Sequence, residues 1–368
     1  MPPIVIIGGG IHGASIAYYL SERGERCRVV DMSGVGAAAS GKSGGFLARS
    51  WGSGLTEQLH EVSFDMHAML AEKLGLSSYR KIRTLSVDGS KKGHTSAAWL
   101  DGMVTSSLMD DNTAQVTSME LTSRLMEEAV AGGAELQIGR VEGLVIEEGK
   151  VKGVRVQGRD TISAEIVVLA MGPWTGPLAE DWLGINLPMV GIKSTSFLFQ
   201  GCNTIAEDPY ACFCEEDRNG CHLELYPRPN GDLYVCGCGG SDHVRGDRLR
   251  EGGDCENPEK ILPNIDRIKA AQKSLHTIVT AIPAAPDISQ ACMRPCTPDG
   301  LPVMGKVPGI EGVYLSTGHN CWGILWAPAS GLAMTELILD GRSSTIDLTP
   351  FSPNRFNTST GRGKRGRN

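Results

Sequence analysis

The sequence predicts an α/β fold, α+β over the whole chain. A domain on a parallel sheet is assembled from separated pieces of chain and joined to a second, mainly antiparallel β domain. Three observations predict this. The stretch "IVIIGGGIHGASIAYYLSERG" runs from a continuous apolar strand through glycines into a helical pattern, the strand, turn and helix order that builds parallel sheets. The far end returns to that style, with "GVYLSTGH" followed by "GILWAPASGLAMTELILDG". Between them, over about 191–294, the chain is richer in Cys, Pro and Asp, and short strands alternate with turn residues, as antiparallel hairpins do.

Taken in order, "IVII" is a buried strand and the helix after it carries Gly13, Ile16, Ala17 and Leu20 on one face, spaced i, i+3, i+4 and i+7. Gly24 ends that helix, and "CRVVD" is a second strand ending on Asp31. "MSGVGAAASGKSGG" is a loop of small residues. A second helical pattern starts at Leu55 and carries Leu59, Val62, Met66, Met69 and Leu74. "TLSV" is a short strand. A helix from about Ser118 is stopped by Gly132 and Gly133, and a strand follows. "VEGLVIEEGKVKGVRV" is a hairpin, and "AEIVVLAMGPWT" is continuously apolar, as a strand covered on both faces is. Further strands fall at "STSFLFQ", "CHLELYPR" and "DLYVCG", the last two joined by a turn in which Asn230 and Gly231 supply positive φ. "PNIDRIKAAQKSLHTIV" is a helix. The parallel-sheet domain is expected from 1–50, 118–190 and 295–350, the second domain from 51–117 and 191–294, and a basic, disordered tail from 354–368.

The chain has 368 residues, 41% hydrophobic and 21% charged, with net charge −7 and a pI near 5.7. Those numbers fit a globular two-domain protein and argue against a nucleic-acid partner, which needs a basic face. The basic residues of "GRGKRGRN" sit at the C-terminal end, read as a frayed tail, with a tether to an anionic surface as the alternative. No signal-peptide pattern and no integral membrane span are expected. The 11 cysteines are then reduced thiols of a cytoplasmic protein. Nothing in the sequence fixes the oligomeric state.

Gly8, Gly10 and Gly13 form G-x-G-x-x-G after a strand and at the start of a helix, with Asp31 18 residues beyond Gly13. That context predicts a Rossmann-like dinucleotide site. The glycines let the backbone approach a pyrophosphate, and the helix N-terminus favours its charge. Asp31 accepts from ribose hydroxyls and disfavours a 2′-phosphate. No second G-x-G-x-x-G unit follows, and remote Gly-rich loops take its place. The expected cofactor is therefore FAD, with electrons supplied by the substrate itself.

The chain resembles the FAD-dependent oxidoreductase family of D-amino-acid oxidase, glycine oxidase and sarcosine oxidase. "IVIIGGGIHGASIAYYL", "GAAASGKSGG", "VVLAMGPWT", "MRPCTPDGLPVMG" and "GVYLSTGHNCWGILWAPASG" carry the resemblance over nearly the whole chain. It is closest to little-characterised eukaryotic and fungal members with "ASGKSGGFLA" and "GHNCWGIL", some associated with endosomal trafficking. The resemblance implies that Gly8, Gly10, Ile11, His12, Gly13 and Asp31 hold the adenosine-diphosphate part. It places Ser40, Gly41, Lys42, Ser43 and Gly44 beside the pyrophosphate and flavin. It sets the Val141 backbone on adenine and Gly172 over the cofactor. Gly318, His319, Asn320, Gly323 and Ile324 then lie at the pyrimidine edge of the flavin, where a helix N-terminus stabilises charge on the reduced ring.

Arg294 in "RPCT" matches the Arg of glycine-oxidase-like members that holds the substrate carboxylate, a task suited to a guanidinium fork. The alternative is an ion pair with an acid such as Asp299. Cys292 matches the position that carries flavin through a thioether in sarcosine-oxidase-like members, or else is a small buried residue. His319 is a catalytic proton relay or a loop histidine with a structural hydrogen bond. Cys212, Cys214, Cys221, His222, Cys236 and Cys238 lack metal-site spacing, so no metal is expected. Tyr226 and Tyr234 flank the hairpin that roofs the pocket, as substrate contacts or ordinary sheet residues. The function implied is hydride transfer from the C–N carbon of a small amino acid or N-alkyl amino acid to flavin N5. Oxygen then reoxidises the flavin and yields hydrogen peroxide. The alternative is a binding, assembly or trafficking factor in which FAD is structural.

Overall fold

The computed structural model describes residues 3–356. Six strands form the first sheet, in the order Val303–Lys306, Val313–Thr317, Ile166–Leu169, Ile4–Ile7, Cys27–Asp31 and Glu135–Ile138. All neighbours are parallel except the first pair. Ile4–Ile7 lies in the middle and is buried at every residue, which accounts for an unbroken apolar run in place of alternation. Three helices cover one face: Ile11–Glu22, Ser118–Ala131 and Gly323–Asp340. A small antiparallel sheet, Val141–Glu147, Lys150–Val156 and Ile162–Ser163, adjoins the other. Its first turn places both Glu148 and Gly149 at positive φ, the two-residue geometry that matches strand twist.

The second sheet has nine strands, in the order Asp242–Val244, Val190–Phe199, Leu233–Cys236, Glu224–Pro227, Tyr210–Cys214, Arg80–Asp88, Thr105–Gln115 and Phe46–Ala48, with Ile288–Cys296 also paired to Val190–Phe199. One junction is parallel, Tyr210–Cys214 with Arg80–Asp88, and the rest are antiparallel. The helix Ile265–Ile278 packs on it through Ile268, Ala271 and Leu275.

The expected boundaries shift in four places. Helix Glu57–Leu74, placed with the second domain, buries Leu59, Phe64, Leu70 and Leu74 in the same core as Ile6, Ile16 and Leu20. Phe46–Ala48, placed with the first, pairs in the second sheet. Ile288–Cys296 carries the second sheet past residue 294 to Cys296. The expected tail is anchored at its start, because Arg355 donates to Asp299 at 2.7 Å; residues 357–368 lie outside the described residues. In the Arg228–Asp232 turn only Gly231 has positive φ, so Asn230 does not share that role. The strand Thr105–Gln115 was not foreseen, and "TLSV" is part of the longer strand Arg80–Asp88. Among the described residues one helical stretch, 320–340, is long and apolar enough to cross a membrane, and two thirds of its apolar window is buried in the first core.

Candidate active site

Four parallel strands deliver their carboxyl ends to one cavity of about 420 Å³. Ile4–Ile7 leads to Gly8, Cys27–Asp31 ends on Asp31, Ile166–Leu169 leads to Gly172, and Val313–Thr317 leads to His319 and Asn320; all of these line it. Ligands of open α/β sheets bind outside strand carboxyl ends. The opposite wall comes from the second sheet: Ser194, Glu224, Tyr226, Tyr234, Cys292 and Arg294. The cavity is thus long, with the glycine turn at one end and Arg294 at the other wall.

The glycine turn is built for close approach. Gly8 has φ +116°, and a Cβ there would stand 2.4 Å from the Ala170 carbonyl oxygen. A Cβ on Gly13 would stand 1.9 Å from the Gly8 carbonyl oxygen, so the helix can meet the strand only without a side chain. Asp31 organises the turn: Oδ2 accepts from Gly9 N–H at 2.6 Å, and Oδ1 accepts from Ser33 and Gly34 N–H at 2.8 Å each. Its carboxylate still borders the cavity with lone pairs to spare. Ser40 Oγ accepts from Ile11 N–H at 2.9 Å.

The other expected residues fall into two groups. Gly10, Ile11, His12, Ser40, Ser43, Gly44, Val141, Gly323 and Ile324 border the cavity. Gly13, Gly41, Lys42 and Gly318 stand behind its lining. Gly41 packs on Gly36 and Met119, and a Cβ on Gly318 would press Thr297. Lys42 turns its carbonyl to the second sheet, accepting from Tyr234 Oη at 3.0 Å and Gln290 Nε2 at 3.1 Å.

His12 and His319 stack face to face, with ring centroids 3.4 Å apart. None of their four ring nitrogens has solvent contact or a hydrogen-bond partner. Burial pushes the His12 pKa down to about 3 and holds His319 well below the ordinary value, with His12 adding to the second effect. Burial thus favours the neutral form of both rings. The structural hydrogen bond considered for His319 is not present. Ser43 Oγ and Ser316 Oγ, also on the cavity, are equally without partners. Buried polar atoms so left mark a place for a ligand. A glycine cradle, an acid at the ribose position and polar atoms awaiting partners together fit FAD.

At the far wall, Arg294 Nη2 donates to Ser194 Oγ at 3.3 Å, and its Nε is buried without a partner. The expected alternative, an ion pair with Asp299, is not formed; that acid pairs with Arg355. Cys292 lies on the same strand and on the cavity. Burial raises its thiol pKa, partly offset by Arg294 and Lys42. Among the described residues no group of three or more His, Cys, Asp or Glu is arranged to hold a metal. Cys236 and Cys238 point to different surroundings, because Gly237 at φ +71° breaks the strand between them.

Sequence reasoning missed Glu224 and, apart from Tyr226, an aromatic wall. Phe46, Trp51, Phe213, Tyr226 and Trp322 all border the cavity, and their ring centroids lie 5.2 to 6.2 Å from neighbours in the set. They come from four separated segments, Phe46 and Trp51 sharing one, so no local pattern announces them. Tyr226 and Tyr234 do border the pocket, and each spends its hydroxyl on the protein, Tyr226 on Glu224 at 2.6 Å and Tyr234 on the Lys42 carbonyl.

Comparison with known proteins bears on this site as a whole. The family model described as "FAD dependent oxidoreductase" matches residues 3–337. A Schizosaccharomyces pombe protein whose name goes no further than oxidoreductase is 27% identical, covering 94% of this chain and 96% of that one. The glycine oxidase of Pseudomonas putida is 25% identical over 95% of this chain and 98% of its own length. The L-proline dehydrogenase structure from P. horikoshii superposes with a TM-score of 0.78 at 20% identity, covering 96% and 97% of the two chains, which speaks for the fold alone. A cavity shaped for a flavin dinucleotide, at strand carboxyl ends and within a chain matched over nearly all its length, leads to one conclusion: the chain belongs to the FAD-dependent oxidoreductase family.

Proposed function

We propose that the protein oxidises the C–N bond of a small amino acid or N-alkyl amino acid, and that oxygen is the final acceptor, giving hydrogen peroxide. The observation that carries this reading is Arg294, a guanidinium on the cavity wall that donates through Nη2 to the Ser194 hydroxyl and, among the described residues, has no partner at Nε and no carboxylate paired to it. A cation held there without a carboxylate suits an anionic substrate group. Bound FAD supplies the hydride acceptor, flavin N5, and the route of electrons onward. The chain's own part is orientation. Arg294 fixes the carboxylate, Ser194 steadies the fork, and the aromatic wall excludes water from the reacting carbon. The imine formed hydrolyses in water. Glycine oxidase among the relatives favours oxygen as acceptor, and the D-amino acid dehydrogenases among them favour a different one. No observation favours a purely structural use of FAD.

The test is a screen of amino acids for anaerobic bleaching of the FAD-loaded protein, followed by readmission of oxygen with a peroxide assay. Arg294→Met should keep the flavin and lower kcat/KM for the bleaching substrate by roughly thirty- to several-thousand-fold, since losing a buried charged hydrogen-bond partner costs about 2–5 kcal/mol. Arg294→Lys should recover part of it, keeping the charge without the fork. Unchanged kcat/KM in Arg294→Met would remove the carboxylate reading. Bleaching without peroxide on readmission of oxygen would assign a dehydrogenase.

A further inference from the structure

Glu224 is an acid on the same cavity as Arg294, yet the two do not pair. Arg294 turns to Ser194. Glu224 Oε2 accepts from Tyr226 Oη at 2.6 Å and from Cys236 Sγ at 3.3 Å. Both donors come from the hairpin that carries Glu224: Tyr226 lies two residues along the strand, and Cys236 is its direct cross-strand partner. The phenol is a dependable donor, because burial and the acid beside it hold its pKa well above 10. Oxygen Oε2 is thereby fixed, and among the described residues only Oε2 of this carboxylate has a hydrogen-bond donor. Cys321, on the loop before the Gly323–Asp340 helix, has its thiol pKa raised mainly by burial, and it also feels both charges, Arg294 lowering and Glu224 raising it. A fixed cation and a fixed anion therefore border one space without neutralising each other.

We propose that Glu224 anchors the substrate's amino group, so that the cavity selects a zwitterion with its carboxylate on Arg294 and its nitrogen on Glu224 Oε1. The proposal rests on the reading that Arg294 takes the carboxylate. It also limits the substrate class. At least one N–H must be available to Glu224, so primary and secondary amines fit. A carboxylate without an amine leaves Glu224 facing an apolar group, which costs binding. Two anchors also fix which substituents of the α-carbon face the cofactor.

Two ligands of nearly equal shape test this, neither of them oxidisable at an α C–H. 2-Aminoisobutyrate carries an amine where pivalate carries a methyl. Each is titrated into FAD-loaded protein, with perturbation of the flavin absorbance as the readout. Wild type should bind 2-aminoisobutyrate at least about ten-fold more tightly than pivalate, the range expected of a hydrogen bond to a charged group. Glu224→Gln should abolish that preference and leave pivalate binding the same or tighter. Tyr226→Phe, which frees Oε2 from its phenol, should reduce the preference by a smaller factor. Arg294→Met should weaken both ligands. No preference in wild type, no perturbation by 2-aminoisobutyrate where pivalate saturates, or equal weakening of both ligands in Glu224→Gln would each overturn the proposal. Should Arg294→Met leave pivalate binding unchanged, the carboxylate reading fails separately, and the wild-type preference still decides the role of Glu224.

Discussion

Cys292 shows how surroundings decide between two chemistries open to one side chain. Its strand sets it opposite Ser194 and on the cavity wall. A thioether to flavin needs a thiolate, and burial works against one here. Arg294 and Lys42 favour the anion, but the desolvation effect is larger and the thiol pKa is raised. A protonated thiol is a poor nucleophile. The flavin is therefore expected to leave with the supernatant on acid precipitation of the yellow protein. Flavin retained in the pellet, and lost from it in Cys292→Ser, would show a covalent link. Arg294 could be picked out beforehand because "RPCT" resembles the motif whose Arg holds the substrate carboxylate in glycine-oxidase-like members. Glu224 could not. It is one acid in "CHLELYPR", and its setting arises only when the hairpin register brings Cys236 across from it.

Elements that start or stop on glycine were the legible ones. The Ile11–Glu22 helix follows Gly8 and Gly10 and carries Gly13, and their steric needs are local. Gly13→Ala would push a methyl into the Gly8 carbonyl, separating helix from strand. An overpacked contact of this kind costs about 1–3 kcal/mol and displaces the helix N-terminus from the pyrophosphate position. Purified Gly13→Ala should carry little or no flavin, read as the ratio of visible to ultraviolet absorbance. A fully yellow variant of wild-type stability would remove the helix from the cofactor site. Where partners are distant, the sequence was less informative. The period of helix Glu57–Leu74 was visible, but its destination was not. Pro328 has no N–H to offer the Ile324 carbonyl four residues back. His67 Nε2 lies 3.1 Å from both the Ile324 and the Leu325 carbonyl oxygens, and Ser63 Oγ accepts from Ala329 N–H at 3.1 Å. Those bonds dock the helix on the first domain, and they rest on two side chains unremarkable in the chain. Thr105–Gln115 was missed for another reason. Only its last three residues are buried, while Leu108 and Met109 are exposed, so hydrophobic alternation is absent and pairing with Arg80–Asp88 defines the strand.

On the scale of the whole molecule, the cavity joins the two sheets, and the histidines beside or behind it tie its integrity to pH. His12, His319 and His67 are all held neutral by burial. His12 is lowered to about 3, His67 to about 4, and His319 lies well below its ordinary value. In the unfolded chain each titrates near 6.5. The unfolded state then binds more protons than the folded one below that pH, so stability must fall as pH falls. Their stabilising contribution is complete above about 6.5 and declines toward the folded values. The paired carboxylates follow the same sign but enter lower. Glu336, held down to about 2 by hydrogen bonds from Ser343, Ser344 and Thr345, begins to matter only below its unfolded value near 4.3. Between pH 6 and 5 the histidines therefore dominate, each worth up to about 1.4 kcal/mol per pH unit. Urea unfolding of the flavin-free protein should show its midpoint dropping through that interval. His67→Gln should flatten the slope by about one proton while lowering stability at pH 7.5, because the amide N–H can replace only part of the contact to the two carbonyls. A midpoint constant from pH 7.5 to 5 would mean that these rings take up protons in the folded state, and a neutral His12–His319 stack could not then line the flavin site; an unchanged slope in His67→Gln would mean the same of His67 alone.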